Sequence, residues 1–490
     1  MADTSKRDSM DASAPDLSSK MQCTTISSPE PAQRTTAKSP PTLTSLPGSI
    51  RNKIYSYLLD TELVNVGRPN VSYTHNISSS GILEPSASRS PFPVSTALFY
   101  TNKQLSREAL TYFYSKNLFI RFSIYTSDAR HAKTLLADSG LLYAAPPLSH
   151  LENSKQHVLD LSLTEKSSAQ KRAAIIFPAQ YLPRLINFLD QASQTTKAWA
   201  PSHALFIEVR NTYDYPLAKL QGDALELFRL LSNLGKVEID GKNLLPGYAE
   251  GLASSMMASS FTAPAFLETA THMADAADAA REKRDWALGH QHAQSCIIAL
   301  TYAYLTRAEL LHSQPEAFTR DIQRLRWRCE LGIAKALFKQ HQAATASGAE
   351  WLMSDSAQAN LSAAEAEKRK QIATDLLIAE TAASAALSLA TDSPNPASNP
   401  WFQSLPAELI PPNKAEWFSD AETALSWYAC GIVHTALGEN LFAAGDLERA
   451  CGLKADGKNF AEAFERAREG IDWEVKPGTG LRRAAKLARG

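Results

Sequence analysis

The chain has few cysteines, and their positions exclude the common cysteine-built sites. Its five cysteines are spread over more than 400 of the 490 positions. No two of them stand at the short spacing of a zinc knuckle or a redox pair. We therefore expect reduced thiols in a cytoplasmic or nuclear protein, with no metal and no cofactor.

Long apolar runs and an excess of charge of one sign are also missing. No stretch approaches the roughly 18 uninterrupted apolar residues of a membrane helix, and the N-terminus lacks the apolar segment of a secretion signal. The formal net charge is −1, which offers no basic field to a nucleic-acid backbone. We expect a soluble, intracellular protein whose partners are neither membranes nor nucleic acids.

Residues 1–41 contain no aromatic residue, whereas 18 of them are Ser, Thr or Pro. Five basic residues in this segment balance five acidic ones. Such a composition buries too little apolar surface to offset the entropy lost on ordering. We predict a disordered tail over residues 1–41.

The next segment, residues 42–125, begins with a helical pattern. Ile50, Ile54 and Leu58 recur every four residues and therefore share one helical face. Leu46-Pro47 comes just before, where a proline suits a helix start. A loop rich in Ser, Pro and Gly separates this helix from a second one, predicted at residues 97–114, and a short strand follows at residues 118–122.

Residues 150–255 alternate between the strand period and the helix period. Strands are predicted at residues 157–163, 204–209 and 236–240, and helices at residues 181–192 and 224–234. Strands and helices in this order imply a small parallel sheet with helices packed against it.

Beyond residue 260 only the helical period remains, so residues 260–473 are predicted to form an antiparallel helical array. The remaining residues, 474–490, are predicted to be a basic tail, because the last ten residues carry four basic side chains and no acidic one. The expected fold class is mainly α, or α+β for the chain as a whole.

The stretch from Leu43 to Phe122 resembles the F-box-like proteins that are abundant in filamentous fungi. Their pattern begins Leu-Pro-x-Glu-Ile-Arg-Asn-x-Ile-Tyr. After a variable loop it continues with a helix close to Arg-Gln-Ile-x-x-Glu-Ala-Leu-x-x-Phe-Tyr and with an Asn-x-Phe strand. The matching residues in this chain are Leu46-Pro47, Ile50-Arg51-Asn52, Ile54-Tyr55, Leu58-Leu59, Gln104-Leu105, Glu108-Ala109-Leu110, Phe113-Tyr114 and Asn117-Leu118-Phe119. Ser49 stands where the pattern has Glu.

The sheet region is also similar to the segment that follows in that family. There a leucine-rich-repeat-like strand, helix and strand lead to a Val-x-Ile-x-Gly ending, found here as Val237-Glu238-Ile239-Asp240-Gly241.

This resemblance implies a subunit of an SCF-type ubiquitin ligase, which docks a Skp-type adaptor through its first helix and recognises a target protein with the rest. By that analogy the adaptor-facing ridge consists of Leu46, Pro47, Ile50, Ile54 and Leu58. The alternative is a purely structural module, in which the apolar stripe of the first helix forms a local core with Leu105, Ala109 and Phe113.

The helical array is similar to tetratricopeptide (TPR) repeats around Leu437-Gly438, Leu441, Gly445-Asp446 and Ala450. In that repeat a small residue stands where two helices cross and a glycine forms the turn, which assigns the turn here to Gly445-Asp446. A following helix is predicted at residues 459–464. The resemblance implies a divergent TPR-like bundle with a concave face for a peptide or partner helix, and a plain bundle without a groove is the alternative.

No catalytic motif is recognisable in the chain. Residues 235–243 differ from a phosphate loop, because one residue too many separates the glycines and Asn243 replaces the Ser or Thr that binds magnesium. His290 and His292 are two residues apart on a helix and point in different directions, so we expect a solvated helix surface. The sequence therefore predicts a non-catalytic adaptor for protein–protein interaction, with a TPR-like scaffold as the alternative function.

Overall fold

The computed structural model describes residues 42–166, 168, 170–346, 351–352, 362–391, 417–453 and 458–489. The predicted disordered tail, residues 1–41, lies outside the described residues. The chain divides into two compact units, Met1–Leu46 and Pro47–Gly490. The described part of the first unit holds a short 3-10 helix, Leu43–Ser45.

The second unit begins with two helices, α1 (Gly48–Leu59) and α2 (Lys103–Asn117), which pack against each other. The second helix starts later than residue 97, because the side chain of Asn102 caps it by accepting a hydrogen bond from the Leu105 N–H. A 3-10 helix, Thr96–Tyr100, precedes it. The segment between the helices, predicted as a loop, contains an antiparallel hairpin of β1 (Tyr73–Ile77) and β2 (Leu83–Ala87).

A five-stranded sheet follows, with the spatial order β5-β3-β4-β6-β7. Neighbours β3 and β4 run parallel, as do β6 and β7, whereas β3 and β5, and β4 and β6, run antiparallel. The strands are β3 (Phe119–Tyr125), β4 (Leu159–Glu165), β5 (Lys171–Pro178), β6 (His203–Val209) and β7 (Lys236–Asp240).

The predicted strands 157–163, 204–209 and 236–240 are confirmed as β4, β6 and β7, but the prediction of a parallel sheet was wrong. The sequence analysis missed β5, which follows β4 after a short connection and runs in the opposite direction. Because β5 reverses the chain, β6 runs antiparallel to β4, whereas the crossovers from β3 to β4 and from β6 to β7 each connect parallel strands. The sheet is therefore mixed.

Helices cover one face of the sheet and form the core of the N-terminal half. Alternate strand residues such as Phe122, Leu161 and Ile175 are fully buried on this face. Charged and polar residues such as Arg121 and Asp160 alternate with them on the other face. The helices of this region are α3 (Ala129–Asp138), α4 (Leu148–Asn153), α5 (Leu182–Thr195), α6 (Trp199–Ser202), α7 (Leu217–Ala224) and α8 (Tyr248–Met257).

Two of these helices correspond to predictions. The one expected at residues 181–192 is confirmed as α5. The one expected at residues 224–234 was placed too late, because α7 ends at Ala224 and only a 3-10 helix, Glu226–Leu230, follows.

The second half of the chain is an array of packed helices, as predicted. Successive long helices contact one another along the array. They are α9 (Ala263–Glu282), α10 (Trp286–Thr306), α11 (Ala308–His312), α12 (Glu316–His341), α13 (Ala363–Thr391), α14 (Asp420–Ala436), α15 (Asn440–Gly452), α16 (Lys458–Glu469) and α17 (Thr479–Arg489).

The turn assigned to Gly445-Asp446 lies elsewhere. Gly445 and Asp446 are inside α15, and the turn between α14 and α15 is at Gly438, whose φ of 73° favours glycine. The small residue at the helix crossing is Gly431, where an added Cβ would overlap the side chain of Leu447. The predicted pattern therefore identified a real helix pair but displaced its turn.

Helix α10 is surrounded rather than solvated. It packs against α7, α9 and α12, and His292 is only 5% exposed. Burial lowers the pKa of both His290 and His292. The prediction of a solvated surface at these histidines was wrong. Helix α10 is covered by neighbouring helices on more sides than its apolar stripe indicates.

The chain end and α13 complete the array. Most of the predicted basic tail is helix α17, which packs against α13. Residues 364–391 of α13 contain a stretch that is long and apolar enough to cross a membrane by length and composition alone. A core helix of a helical array meets the same criterion, and α13 contacts α12, α14 and α17.

Candidate partner-binding surface

The side of the first helix that is fully buried in the core is not the apolar stripe of Ile50, Ile54 and Leu58. Tyr55 and Leu59 are its fully buried side chains, and Arg51 lies one turn before Tyr55 on the same side. This side faces α2, where Leu105 and Ala109 are buried. The contact between the two helices is therefore built on the Arg51–Tyr55–Leu59 side of α1.

A charged cluster connects the two helices. The guanidinium of Arg51 donates to both carboxylate oxygens of Glu108, over 2.7 Å from Nε and 2.9 Å from Nη2. The Tyr55 hydroxyl donates to the same carboxylate over 3.1 Å. Hydrogen bonds from Arg51 and Gln104 hold the pKa of Glu108 below its usual value.

The end of α2 is tied to the end of α1 through Asn117, which is buried. Its Oδ1 accepts from the N–H and the hydroxyl of Thr61, over 2.9 and 2.7 Å. Its Nδ2 donates to the carbonyls of Leu59 and Phe113, over 3.0 and 2.7 Å. The amide therefore has a partner for each hydrogen-bonding direction it offers.

The predicted ridge residues lie largely outside this contact. Ile50 is 48% exposed, Pro47 is exposed, and Ile54 and Leu58 are partly buried. Leu46 belongs to the separate N-terminal unit. Of the five predicted residues, Ile50, Ile54 and Leu58 lie within α1.

Tyr57 also belongs to this surface, although the sequence did not predict it. Tyr57 is 63% exposed and follows Ile50 and Ile54 at seven and three residues, so it shares their helical face. The helical spacing from Ile50 and Ile54 to Tyr57 could have indicated this residue, but the pattern included only aliphatic side chains. Ile50, Ile54, Tyr57 and Leu58 are called the α1 ridge below.

A second candidate surface lies in the helical array. A cleft of about 540 Å³ opens between α12, α14 and α16. Phe338 and Ile432 contribute apolar surface, and Asn440 and Arg466 contribute polar groups. The Asn440 amide donates to the Gly470 carbonyl over 2.6 Å, and its oxygen can still accept a hydrogen bond.

A third depression, of about 480 Å³, lies on the polar face of the sheet. Its charged groups are engaged with one another. Asp160 pairs with Arg121, with Arg210 over 2.9 Å and with His157 over 2.8 Å. Burial alone would raise the pKa of Asp160, but His157 and Arg121 lower it. This arrangement stabilises the sheet face.

Comparison with known proteins identifies no relative. No protein-family model, no curated protein and no solved structure matches the chain. Within the described ranges, no group of three His, Cys, Asp or Glu side chains is placed to hold a metal ion. The candidate surfaces are thus defined by their geometry alone.

Proposed function

We propose that this protein is a non-catalytic adaptor that acts in the cytoplasm or nucleus, and specifically the target-recognition subunit of an SCF-type ubiquitin ligase. In this proposal the α1 ridge docks a Skp-type adaptor, and the sheet and helical array recognise the target protein. Ubiquitin transfer itself is carried out by other subunits of the complex.

The observation that carries the proposal is that the core contact and the exposed apolar surface of α1 are formed by different side chains. Tyr55 and Leu59 are the fully buried side chains of α1. The core contact of this helix therefore does not bury the whole α1 ridge. Ile50 and Tyr57 stay exposed beside an internally stabilised helix pair, with Ile54 and Leu58 partly buried between them, and exposed apolar side chains are available to a protein partner. The exposed Ile50 and Tyr57 would contribute most of the buried area.

The residues that support the fungal F-box-like resemblance have a common structural role. Arg51, Tyr55, Glu108 and Asn117 are all pattern residues, and they form hydrogen bonds that join α2 to α1 and to Thr61 just after it. Because the pattern residues coincide with these contacts, they support the proposal that this module is built like the F-box-like module of the fungal family. The sheet that follows is mixed rather than a row of parallel repeat strands, so the leucine-rich-repeat-like part of the resemblance has weaker support.

Direct binding to a purified Skp-type adaptor tests the proposal. The full-length chain should co-elute with the adaptor on size exclusion, and the double variant Ile50→Glu plus Ile54→Glu should not. Burial of two unpaired carboxylates in a protein interface is strongly unfavourable. Both side chains are at least partly exposed, so the fold should tolerate the change, and circular dichroism checks this.

A matched control places the same charges on other exposed apolar residues. Leu305 and Leu310 are 75% and 39% exposed, and Leu305→Glu plus Leu310→Glu should leave adaptor binding unchanged. If the wild-type chain fails to bind the adaptor, the ligase role is wrong. If the ridge variant binds like wild type, the ridge is not the docking surface.

The cleft between α12, α14 and α16 favours a second function, a TPR-like scaffold in which the module at α1 and α2 is purely structural. Asn440 and Arg466 at its rim are suited to a peptide carbonyl or carboxylate. Partners recovered by affinity purification from the native cell should then be lost with Arg466→Glu and kept with the ridge variant. The opposite pattern would exclude the scaffold function.

A further inference from the structure

A cavity of about 300 Å³ lies where the sheet layer meets the helical array. Its walls come from α8, α9 and α10, with the 3-10 helix Glu226–Leu230 behind them. Pro246, Gly247 and His272 at its mouth are exposed, whereas Arg229, Tyr248, His292 and Ser295 at its floor are buried. Its volume lies at the lower end of the range of small-molecule sites, about 300–1,000 Å³.

The floor is polar and internally organised. The Arg229 guanidinium donates to Glu226 over 2.9 Å, and the Tyr248 hydroxyl donates to the other oxygen of that carboxylate over 2.7 Å. The Ser295 hydroxyl donates to Gln221 over 3.1 Å, which leaves its oxygen as an acceptor. These contacts fix the positions of Arg229, Tyr248 and Ser295.

His292 is the exception on this floor. Although it is only 5% exposed, its ring makes no hydrogen bond or ion pair with any residue in the described parts of the chain. The ring nitrogens are not among the fully inaccessible, unpaired polar atoms of the described residues, so they are open to the cavity. A molecule in the cavity can therefore hydrogen-bond to the imidazole.

The charges around the cavity specify the class of molecule. Burial lowers the pKa of His292, so the imidazole is neutral at pH 7. Burial also raises the pKa of Tyr248, which stays protonated. Arg229 is balanced by Glu226 at 2.9 Å. The floor therefore carries no net charge and would not compensate the desolvation of a charged ligand.

We propose that this cavity binds a small, uncharged and largely apolar molecule, held by a hydrogen bond to His292 and by apolar contacts with Met273 and Leu245. An amide or a hydroxyl is the kind of group that both His292 and Ser295 can engage. The site is separate from the α1 ridge and does not depend on the adaptor function.

Gly251 provides a way to fill the cavity without disturbing its floor. It lies on α8 at the cavity wall, and an added Cβ would meet only Thr269 Cγ2, at an ordinary 3.8 Å. Gly251→Leu should therefore fold and place its side chain in the cavity. Gly445→Leu is the matched control, because Gly445 is also helical and no atom lies within 4 Å of its added Cβ.

Fluorine NMR on the full chain tests the proposal with three probes that share one ring: para-fluorobenzamide, para-fluorobenzoate and para-fluorobenzylammonium. The amide signal should broaden with wild type and with Gly445→Leu, and stay sharp with Gly251→Leu. Gly251→Ala, which adds a single carbon, should give an intermediate loss and serves if the leucine variant does not fold. The charged probes should bind at least about tenfold more weakly.

Three outcomes would overturn the inference. Absence of binding of all three probes to wild type would mean that the cavity holds only water. Equal broadening with wild type and both Gly251 variants would place the probe elsewhere. Preference for the benzoate or the ammonium probe would contradict the uncharged ligand.

Discussion

Arg51 on α1 and Glu108 on α2 are joined by two parallel hydrogen bonds, of 2.7 and 2.9 Å, between a guanidinium and a carboxylate. The two residues are 57 positions apart in the sequence. Because both oxygens are engaged, the pair sets the orientation of the helices as well as their proximity. This orientation turns Ile50 and Tyr57 away from the core.

The first prediction concerns this pair. Glu108→Gln should loosen the contact between α1 and α2, because the amide replaces a charged acceptor. Since the pKa of Glu108 is lowered in the fold, the stability it contributes is present above its unfolded pKa and is lost as the pH falls through the folded value. The loss of protection against hydrogen–deuterium exchange in residues 48–59 should therefore be largest near neutral pH and shrink in acid.

Glu62→Gln is the control for this measurement. Glu62 is exposed and follows α1, and within the described residues its carboxylate makes no ion pair with an arginine. Its exchange pattern should match wild type at both pH values, after correction for the intrinsic pH dependence of exchange. Equal behaviour of the two variants would remove Arg51–Glu108 as the contact that orients α1.

The second prediction concerns Tyr57, which the sequence analysis had not assigned to the ridge. Tyr57→Ala should weaken binding of a Skp-type adaptor by about tenfold or more, since truncation of a central interface tyrosine costs roughly 2 kcal/mol. Isothermal titration calorimetry measures the change. Tyr100→Ala, at an 85% exposed tyrosine outside α1, should leave the affinity unchanged. An unaltered affinity of Tyr57→Ala would exclude this residue from the interface.

The third prediction concerns a lysine in the helical array. Burial and the charge of Arg281 lower the pKa of Lys335 to about 8. Between that value and its ordinary 10.5 the unfolded chain binds more protons at this position, so stability rises with pH in that window. Below it the folded protein carries the full cost of the charge. Lys335→Met should therefore increase the free energy of unfolding at pH 7, by up to about 3 kcal/mol.

This gain should shrink as the pH rises from about 8 toward 10, because wild-type Lys335 then becomes neutral in the fold. Urea unfolding at both ends of this range measures the difference. Lys339→Met, at an exposed position near the end of the same helix, is the control and should show little dependence on pH. A constant gain across the range would mean that it arises from apolar packing rather than from charge.

The fourth prediction compares two helical glycines. Gly431→Ala should lower the free energy of unfolding by about 1–3 kcal/mol, because its methyl group would overlap Leu447 at the crossing of α14 and α15. Gly445→Ala should raise it by about 0.5–1 kcal/mol, because its methyl group meets nothing within 4 Å and alanine favours the helix. Thermal unfolding of both variants measures the signs. A change of the same sign at both positions would contradict the assigned crossing.

Local patterns in the sequence determined the secondary structure of much of the chain. Alternation of Leu159, Leu161 and Leu163 identified β4, and four-residue spacing identified the helices of the second half. These signals are readable because the side-chain period of a strand or helix depends only on neighbouring residues. The mixed α+β fold class follows from the same signals and is confirmed.

Tertiary structure decided the features that depend on distant residues. The direction of β6 relative to β4 depended on the unrecognised β5. The positions of the turn at Gly438 and of the helix crossing at Gly431 depended on how α14 and α15 pack against each other. The burial of His292 depended on three helices packed around α10.

The same division applies to the candidate surface. The sequence by itself placed Ile50, Ile54 and Leu58 on one face of a helix, because their spacing is a local property. It did not determine whether that face is core or surface, since another face carries Tyr55 and Leu59. Hydrogen bonds from Arg51 and Tyr55 to Glu108, more than 50 residues away in the sequence, determine which face of α1 is turned toward α2. Packing against a distant partner, and not periodicity, decides which side of a helix remains exposed.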